Sequence, residues 1–279
     1  MKVMRNSALR WVLPAMLLAV CLLAPTARAG SLPAVSVAVS PSAVTVGGAL
    51  ESGAVNVAVS DTGVKEANVI LFHVATGVTV AEVEAFAASK KSAGDPNNSM
   101  PYGTIAFDVE ANPGQPTEAQ TVLQPGQYVV LVGEGEKSVQ VRTHFTVTQS
   151  KAPAAMPAAA ATERTIDFGF KGPTTLHDGE LVAFENEGFV VHMDLAFPVK
   201  NMTAARAAVK DLLTGREKGL RKLIAGPPVA FAGPLSHGAM QQETISAKPG
   251  IYVQVCFMET QDGRDHTRLG MERIIKIAK

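Results

Sequence analysis

Two copies of one turn lie 124 residues apart. Pro125-Gly126-Gln127-Tyr128 opens the apolar run Val129-Val130-Leu131, and Pro249-Gly250-Ile251-Tyr252 opens Val253-Gln254-Val255. Thr79 and Thr203, each ahead of a helix-patterned segment, keep the same offset. Two independent landmarks at one spacing mark an internal duplication, so the chain is expected to fold as two similar units in tandem. Each copy begins with short strands, Gly53–Val59 and Gly179–Glu185, then Val69–Phe72 and Val191–Phe197. Alternating apolar residues are the period of a half-buried strand. A single helix follows in each. Thr79-Val-Ala-Glu82 is a capping box, in which the hydroxyl and the carboxylate each satisfy an orphan amide. In the second copy Thr203 starts a helix through Leu213, with Gly215 as its stop. Each copy closes on an alternating strand, His144–Thr148 and Ile274–Ile277.

Composition supports this reading. Apolar residues are 47% of the chain and charged residues 18%, which provides cores and argues against a disordered chain. The 24 glycines and 17 prolines suit short strands and many turns. The expected class is all-β: two β-sandwiches, each with a short helical insertion. The 25 basic and 25 acidic residues balance, without the basic excess of a nucleic-acid binder.

Residues 1–29 read as a cleavable signal peptide. Lys2, Arg5 and Arg10 precede an apolar stretch from Trp11 to about Leu23, and Ala27-Arg28-Ala29 is a small-x-small cleavage site. The stretch is short for a membrane span, and Pro14 and Pro25 interrupt it. A secreted or periplasmic protein without a membrane span is expected. Without Lys2, Arg5, Arg10 and Arg28, the 25 acidic residues outnumber the 21 remaining basic ones. Residues 150–163, rich in Ala and Pro, form the expected linker. They divide a first domain over 30–149 from a second over 164–279.

Removing the leader also removes Cys21 and leaves one thiol, Cys256. An unpaired cysteine in an oxidising compartment is a buried inert residue, an intermolecular bridge, a nucleophile or a metal ligand. Its surroundings point to the last. His192 lies upstream on an apolar strand, and His266 and Met271 follow Cys256. One thiolate, two imidazoles and a thioether are the ligand set of a mononuclear type 1 copper site. Zinc is a poorer match, since a thioether ligates it weakly.

At these residues the chain resembles the cupredoxin family, the plastocyanin- and azurin-like blue copper domains. The resemblance covers most of residues 165–279. It rests on Phe184-x-Asn186 ahead of His192, Pro249-Gly-x-Tyr252-x-x-x-Cys256, and His266-x-x-x-x-Met271. It implies a Greek-key sandwich, one copper ion, and single-electron transfer to a redox partner protein rather than enzymatic turnover. One departure stands out. Nine residues separate Cys256 from His266, where small blue copper proteins have two to four. The Asp262-Gly263 turn within them suits a small hairpin that returns the chain. Otherwise Glu259, Asp262 or Asp265 could supply an oxygen ligand in place of Met271.

The first copy lacks these ligands. At the 124-residue offset Cys256 falls on Val132 and His192 on Asn68, so a metal-free first domain is expected. His73 and His144 sit at unmatched positions; His177 and His237 read as solvated loop residues. There is no His-x-His pair for a trinuclear copper cluster. The competing expectation is a non-redox binding or structural module, or a periplasmic protein that stores or delivers copper.

Overall fold

A computed structural model describes residues 31–89, 95–134 and 139–279. The expected signal segment lies outside the described residues. From residue 32 to the C-terminus the chain forms one compact unit. No helix among the described residues is long and apolar enough to cross a membrane.

The first half supplies β1 (Ala34–Val39), β2 (Val44–Gly48), β3 (Gly53–Asp61), β4 (Ala67–Val74), α1 (Val80–Ala87), β5 (Gly103–Ala111), β6 (Thr117–Leu123), β7 (Gly126–Glu134) and β8 (Gln140–Val147). The second supplies β9 (Ala161–Ile166), β10 (Gly169–Lys171), β11 (Thr175–His177), β12 (Leu181–Asn186), β13 (His192–Val199), α2 (Met202–Leu213), β14 (Val229–Leu235), β15 (Met240–Thr244), β16 (Gly250–Val255) and β17 (Glu272–Ala278). The fold is all-β with short helical insertions. Strict alternation makes the strands: in β1, Val35, Val37 and Val39 point inward while their neighbours face out. The Thr79 capping box opens α1 with both reciprocal bonds in place. The cap of α2 is Asn201 rather than Thr203. Its side chain accepts the Ala204 N–H at 2.9 Å, and the helix starts one residue before Thr203. Gly215 follows with φ +65°, a conformation that suits glycine.

β4 pairs with β5 and β7, and β8 completes a four-stranded sheet. β11, β17, β16, β13 and β14 form a five-stranded one. Opposite both runs a single eight-stranded sheet, ordered β10-β9-β12-β15-β6-β3-β1-β2. Its centre is a seam between the halves. β15 pairs antiparallel with β6, Gln241 opposite Thr121 and Gln242 opposite Gln120. Thr121 Oγ1 donates to the Met240 carbonyl at 2.8 Å, and Gln242 Nε2 to Gln120 Oε1 at 3.0 Å. Each half packs its own core between its sheets, around Tyr128 and Phe107 in the first and Phe184 and Phe231 in the second.

Residues 150–163 do not hang free between the halves. The Ala154 carbonyl accepts from Ala54 N at 2.9 Å, and the Pro157 carbonyl from Gln242 Nε2 at 3.1 Å. A Cβ on Gly53 would meet Pro153 and Ala154 at under 3.0 Å, so glycine permits this close approach. β9 then begins at Ala161, three residues before the expected domain boundary.

A candidate metal centre at three strand ends

Antiparallel pairing places the start of β13 beside the end of β16, with Leu195 opposite Val255. β16 pairs in turn with β17, Val255 opposite Glu272. The chemistry-bearing residues sit where these three ends meet. His192 is the first residue of β13, Cys256 directly follows β16, and Met271 directly precedes β17. Between Cys256 and His266 the chain makes the small hairpin that the Asp-Gly turn suggests. Glu259 bridges Asp265, Thr260 N donates to the Arg264 carbonyl at 2.9 Å, and Gly263 takes φ +74°. That hairpin absorbs the long spacing and returns His266 to the thiol.

Cys256 Sγ lies 3.4 Å from His266 Nδ1 and 3.8 Å from His192 Nδ1. The two rings meet edge to face, 4.9 Å between centroids. The donor atoms of His192, Cys256 and His266 all lie within 4.8 Å of one another. Cys256 and His266 are 0% exposed, and His192 is 1%. Met271 is buried as well. Its amide donates to the His266 carbonyl at 3.1 Å, and its carbonyl accepts the Cys256 amide at 3.3 Å.

Burial sets the protonation of this group. It pushes the Cys256 thiol up to about 12. It pulls His192 down to about 4 and lowers His266 too. Both imidazoles are therefore neutral at pH 7, with lone pairs available, and the thiol keeps its proton until a metal displaces it. Met193 N–H donates to Cys256 Sγ at 3.4 Å, a bond that favours the thiolate. A buried set of one sulfur and two neutral imidazole nitrogens suits copper.

The outer sides of the rings are also built. β9 and β10 join through a two-residue turn, Asp167-Phe168. Asp167 Oδ1 lies 3.2 Å from His192 Nε2 and accepts the amides of Phe189 (2.7 Å) and Val190 (3.3 Å). Burial works to raise the Asp167 carboxyl, but these three hydrogen bonds outweigh it and hold it below the usual range. Phe168 adopts φ +60°, costly for an aromatic residue, and its ring meets His266 edge-on at 5.0 Å. Asn186 clamps the segment leading to His192. Its Oδ1 accepts from Gly188 N at 2.8 Å, and its Nδ2 donates to the Val190 and Leu235 carbonyls. Below the site, Gln254 Nε2 donates to both oxygens of buried Asp194 at 2.7 Å. Gln254 Oε1 accepts from Arg273 Nε at 2.6 Å, and Arg273 pairs with buried Glu163. This chain of partners ties β13, β16, β17 and β9 together.

Sequence reasoning missed Asp167, Phe168 and this network. Asp167 lies 25 positions from His192, and only the β9–β10 turn delivers it. The acids considered as substitute ligands are engaged elsewhere: Asp262 pairs with Arg264 at 2.8 Å and Asp265 with Arg268 at 3.4 Å. Neither they nor Glu259 belongs to the converging group. At the matching places in the first half, Val132 is a core residue and Asn68 donates to Asp108 at 2.5 Å. His73 stacks on Tyr128, His177 pairs with Glu180, and His237 Nδ1 meets the Gly188 carbonyl at 2.9 Å.

No protein-family model and no curated protein matches the chain. Among solved structures, auracyanin B aligns with 45% of this chain and 94% of its own, at 17% identity and a TM-score of 0.27. Auracyanin from the photosynthetic bacterium Roseiflexus castenholzii aligns with 44% of this chain and all of its own, at 14% identity and 0.25. The Cu-containing nitrite reductase from Thermus scotoductus SA-01 aligns with 90% of this chain and 69% of its own, at 14% identity and 0.26. At such scores the likenesses carry no functional argument, which rests instead on the geometry of the site.

Proposed function

We propose that this chain is an exported cupredoxin-type protein that holds one copper ion in its second half and carries single electrons between redox partners. The observation that supports it best is the convergence of one thiol and two imidazoles, a donor atom of each within 4.8 Å of the others, in a buried pocket. His192 Nδ1, Cys256 Sγ and His266 Nδ1 would be the strong ligands, with Met271 as a weak axial one. Copper bound there would supply a couple between Cu(I) and Cu(II). The protein's own groups do the rest. Cys256 gives up its proton on loading, Asp167 fixes the His192 ring, and the buried walls keep water from the sulfur. Holding the donors rigid keeps reorganisation small when one electron enters or leaves. The first half would be a ligand-free copy of the same unit.

The competing reading is copper storage or delivery. Delivery requires ligands that an acceptor protein can reach, and the burial of both rings favours retention and electron carriage. Voltammetry of the copper-loaded protein tests this. A reversible one-electron wave with fast electron self-exchange is expected. Binding of Cu(I) without a reversible Cu(II) state would instead establish storage.

A further inference from the structure

The segment that delivers His192 runs between two strands without a ladder of its own. β12 ends at Asn186 and β13 begins at His192, so the amides of residues 187–191 need other acceptors. Each finds one. Glu187 N and Gly188 N donate to the Thr165 carbonyl at 2.9 and 3.1 Å, and Gly188 N also donates to Asn186 Oδ1 at 2.8 Å. Phe189 N and Val190 N donate to Asp167 Oδ1 at 2.7 and 3.3 Å. All of these acceptors belong to the second half. The last amide, Val191 N, directly precedes the candidate ligand. Its acceptor comes from the first half: Asn97 Oδ1, at 2.7 Å and 94 positions away.

The first half holds Asn97 ready for this contact. Asn97 is the second residue of a short 3-10 turn, Pro96–Ser99, capped by Asp95. Asp95 Oδ1 accepts the Asn97 main-chain amide at 2.8 Å and Asn97 Nδ2 at 2.7 Å. Only the NH2 side of an asparagine can donate to a carboxylate, so that bond leaves Oδ1 as the atom that accepts from Val191. Both residues are buried, Asn97 8% exposed and Val191 1%. Val191 also packs into the first half's outer cluster with Phe72, Ile105 and Leu131. A donor buried among such side chains has no water to turn to, so losing its acceptor is costly.

We propose that Asn97 is a positioning residue for His192, and that through it the ligand-free first half is a working part of the metal centre. Asp167 holds the His192 ring, and Asn97 holds the peptide that leads into it. Each half supplies one of the two restraints. Restraining ring and backbone together limits how far the ligand shifts when a metal enters or changes its charge. The proposal rests on His192 being a copper ligand, but the hydrogen bond itself stands without metal and is tested without it.

Amide hydrogen exchange and chelator competition on the full-length protein test this. Asn97→Leu keeps the side-chain volume and removes the acceptor; Asn97→Ala removes it without bulk and serves if the leucine variant does not fold. In the metal-free variant the Val191 amide should exchange at least about tenfold faster, while a ladder amide such as Val253 in β16 keeps its native rate. Copper should be held about tenfold more weakly. Phe107→Leu, buried in the first half's inner core with Tyr128, is the control and should leave the Val191-to-Val253 exchange ratio and the copper affinity native. Native Val191 exchange in the Asn97 variants, equal acceleration of Val191 and Val253, or native copper affinity overturns the proposal. A native protein that holds no copper would overturn the copper reading itself, and this role for Asn97 with it, even where Val191 exchange behaves as expected. The two failures are therefore distinguishable.

Discussion

Gly188 packs against the outer edge of His192 and against Asp167, and replacing it by alanine perturbs both without changing any candidate ligand residue. The added Cβ would lie 2.6 Å from His192 Nε2, 2.7 Å from His192 Cδ2 and 2.8 Å from Asp167 Oδ1. All three distances are below any normal carbon contact, so the His192 ring or the Asp167 carboxylate has to move by several tenths of an ångström. The backbone cannot retreat instead. Gly188 N donates to Asn186 Oδ1 at 2.8 Å and to the Thr165 carbonyl at 3.1 Å. Overfilling a packed site of this kind costs about 1–3 kcal/mol. Displacing the partner of a ligating histidine weakens metal binding about 10- to 100-fold. Urea unfolding of the metal-free protein reads the first quantity, and chelator competition reads the second. Gly114→Ala is the control. Gly114 has φ +75° and open space around a Cβ, in the turn between β5 and β6, so it should lose about 1 kcal/mol of stability and no copper affinity. Native stability and native affinity in Gly188→Ala would refute the placement of His192 against Asp167.

Further outcomes follow from the same geometry. Asp167→Ala leaves the buried Nε2 of His192 and the Phe189 and Val190 amides without their acceptor, and should weaken copper binding about 10- to 100-fold by chelator competition while also lowering the unfolding midpoint; unaltered binding would remove Asp167 from the site. Asp108 is buried at the junction of the halves, against Gly233, and desolvation raises its carboxyl to about 7. The folded protein then binds this proton more tightly than the unfolded chain does. Its contribution is present below about pH 4 and is lost as pH rises to about 7, with a ceiling of about 4 kcal/mol. Asp108→Asn should therefore gain stability over the native protein at pH 8 relative to pH 5 in urea titrations; parallel pH profiles would contradict this. Phe231 is 1% exposed and stacks on Phe184 at 5.6 Å, so Phe231→Ala should cost about 3–5 kcal/mol. Because the halves share one sheet, calorimetry should show a single transition moving down, whereas two separate transitions would show that the seam does not couple them.

Much of the architecture was legible because strand alternation and the repeated Pro-Gly-x-Tyr turn are local signals. The Thr79 capping box and the hairpin after Cys256 were legible for the same reason: a few adjacent residues determine each. The start of α2 was misplaced because Asn201 and Thr203 are both good caps, and only the hydrogen bond to Ala204 N distinguishes them. The joining of the halves was not legible. Gln241 and Thr121 pair across 120 positions, and nothing in either segment alone marks it as the middle of an eight-stranded sheet. The candidate ligands were found from residue type and order, while Asp167, the partner of His192, was missed. A solvated aspartate and one aimed at a buried imidazole look alike in sequence. Asn97 illustrates this further: it begins an Asn-Asn-Ser triplet that reads as a surface glycosylation signal, yet it is buried and bonded to Asp95 and Val191.

The central claim is that Cys256 binds copper together with His192 and His266. It is tested most directly by the visible spectrum of the protein after addition of Cu(II), with Cys256→Ser alongside. An intense blue thiolate-to-copper band in the native protein, absent from Cys256→Ser, is the expected result. A colourless native protein with no tight copper binding would contradict the claim, and the buried thiol between two imidazoles would then need another explanation.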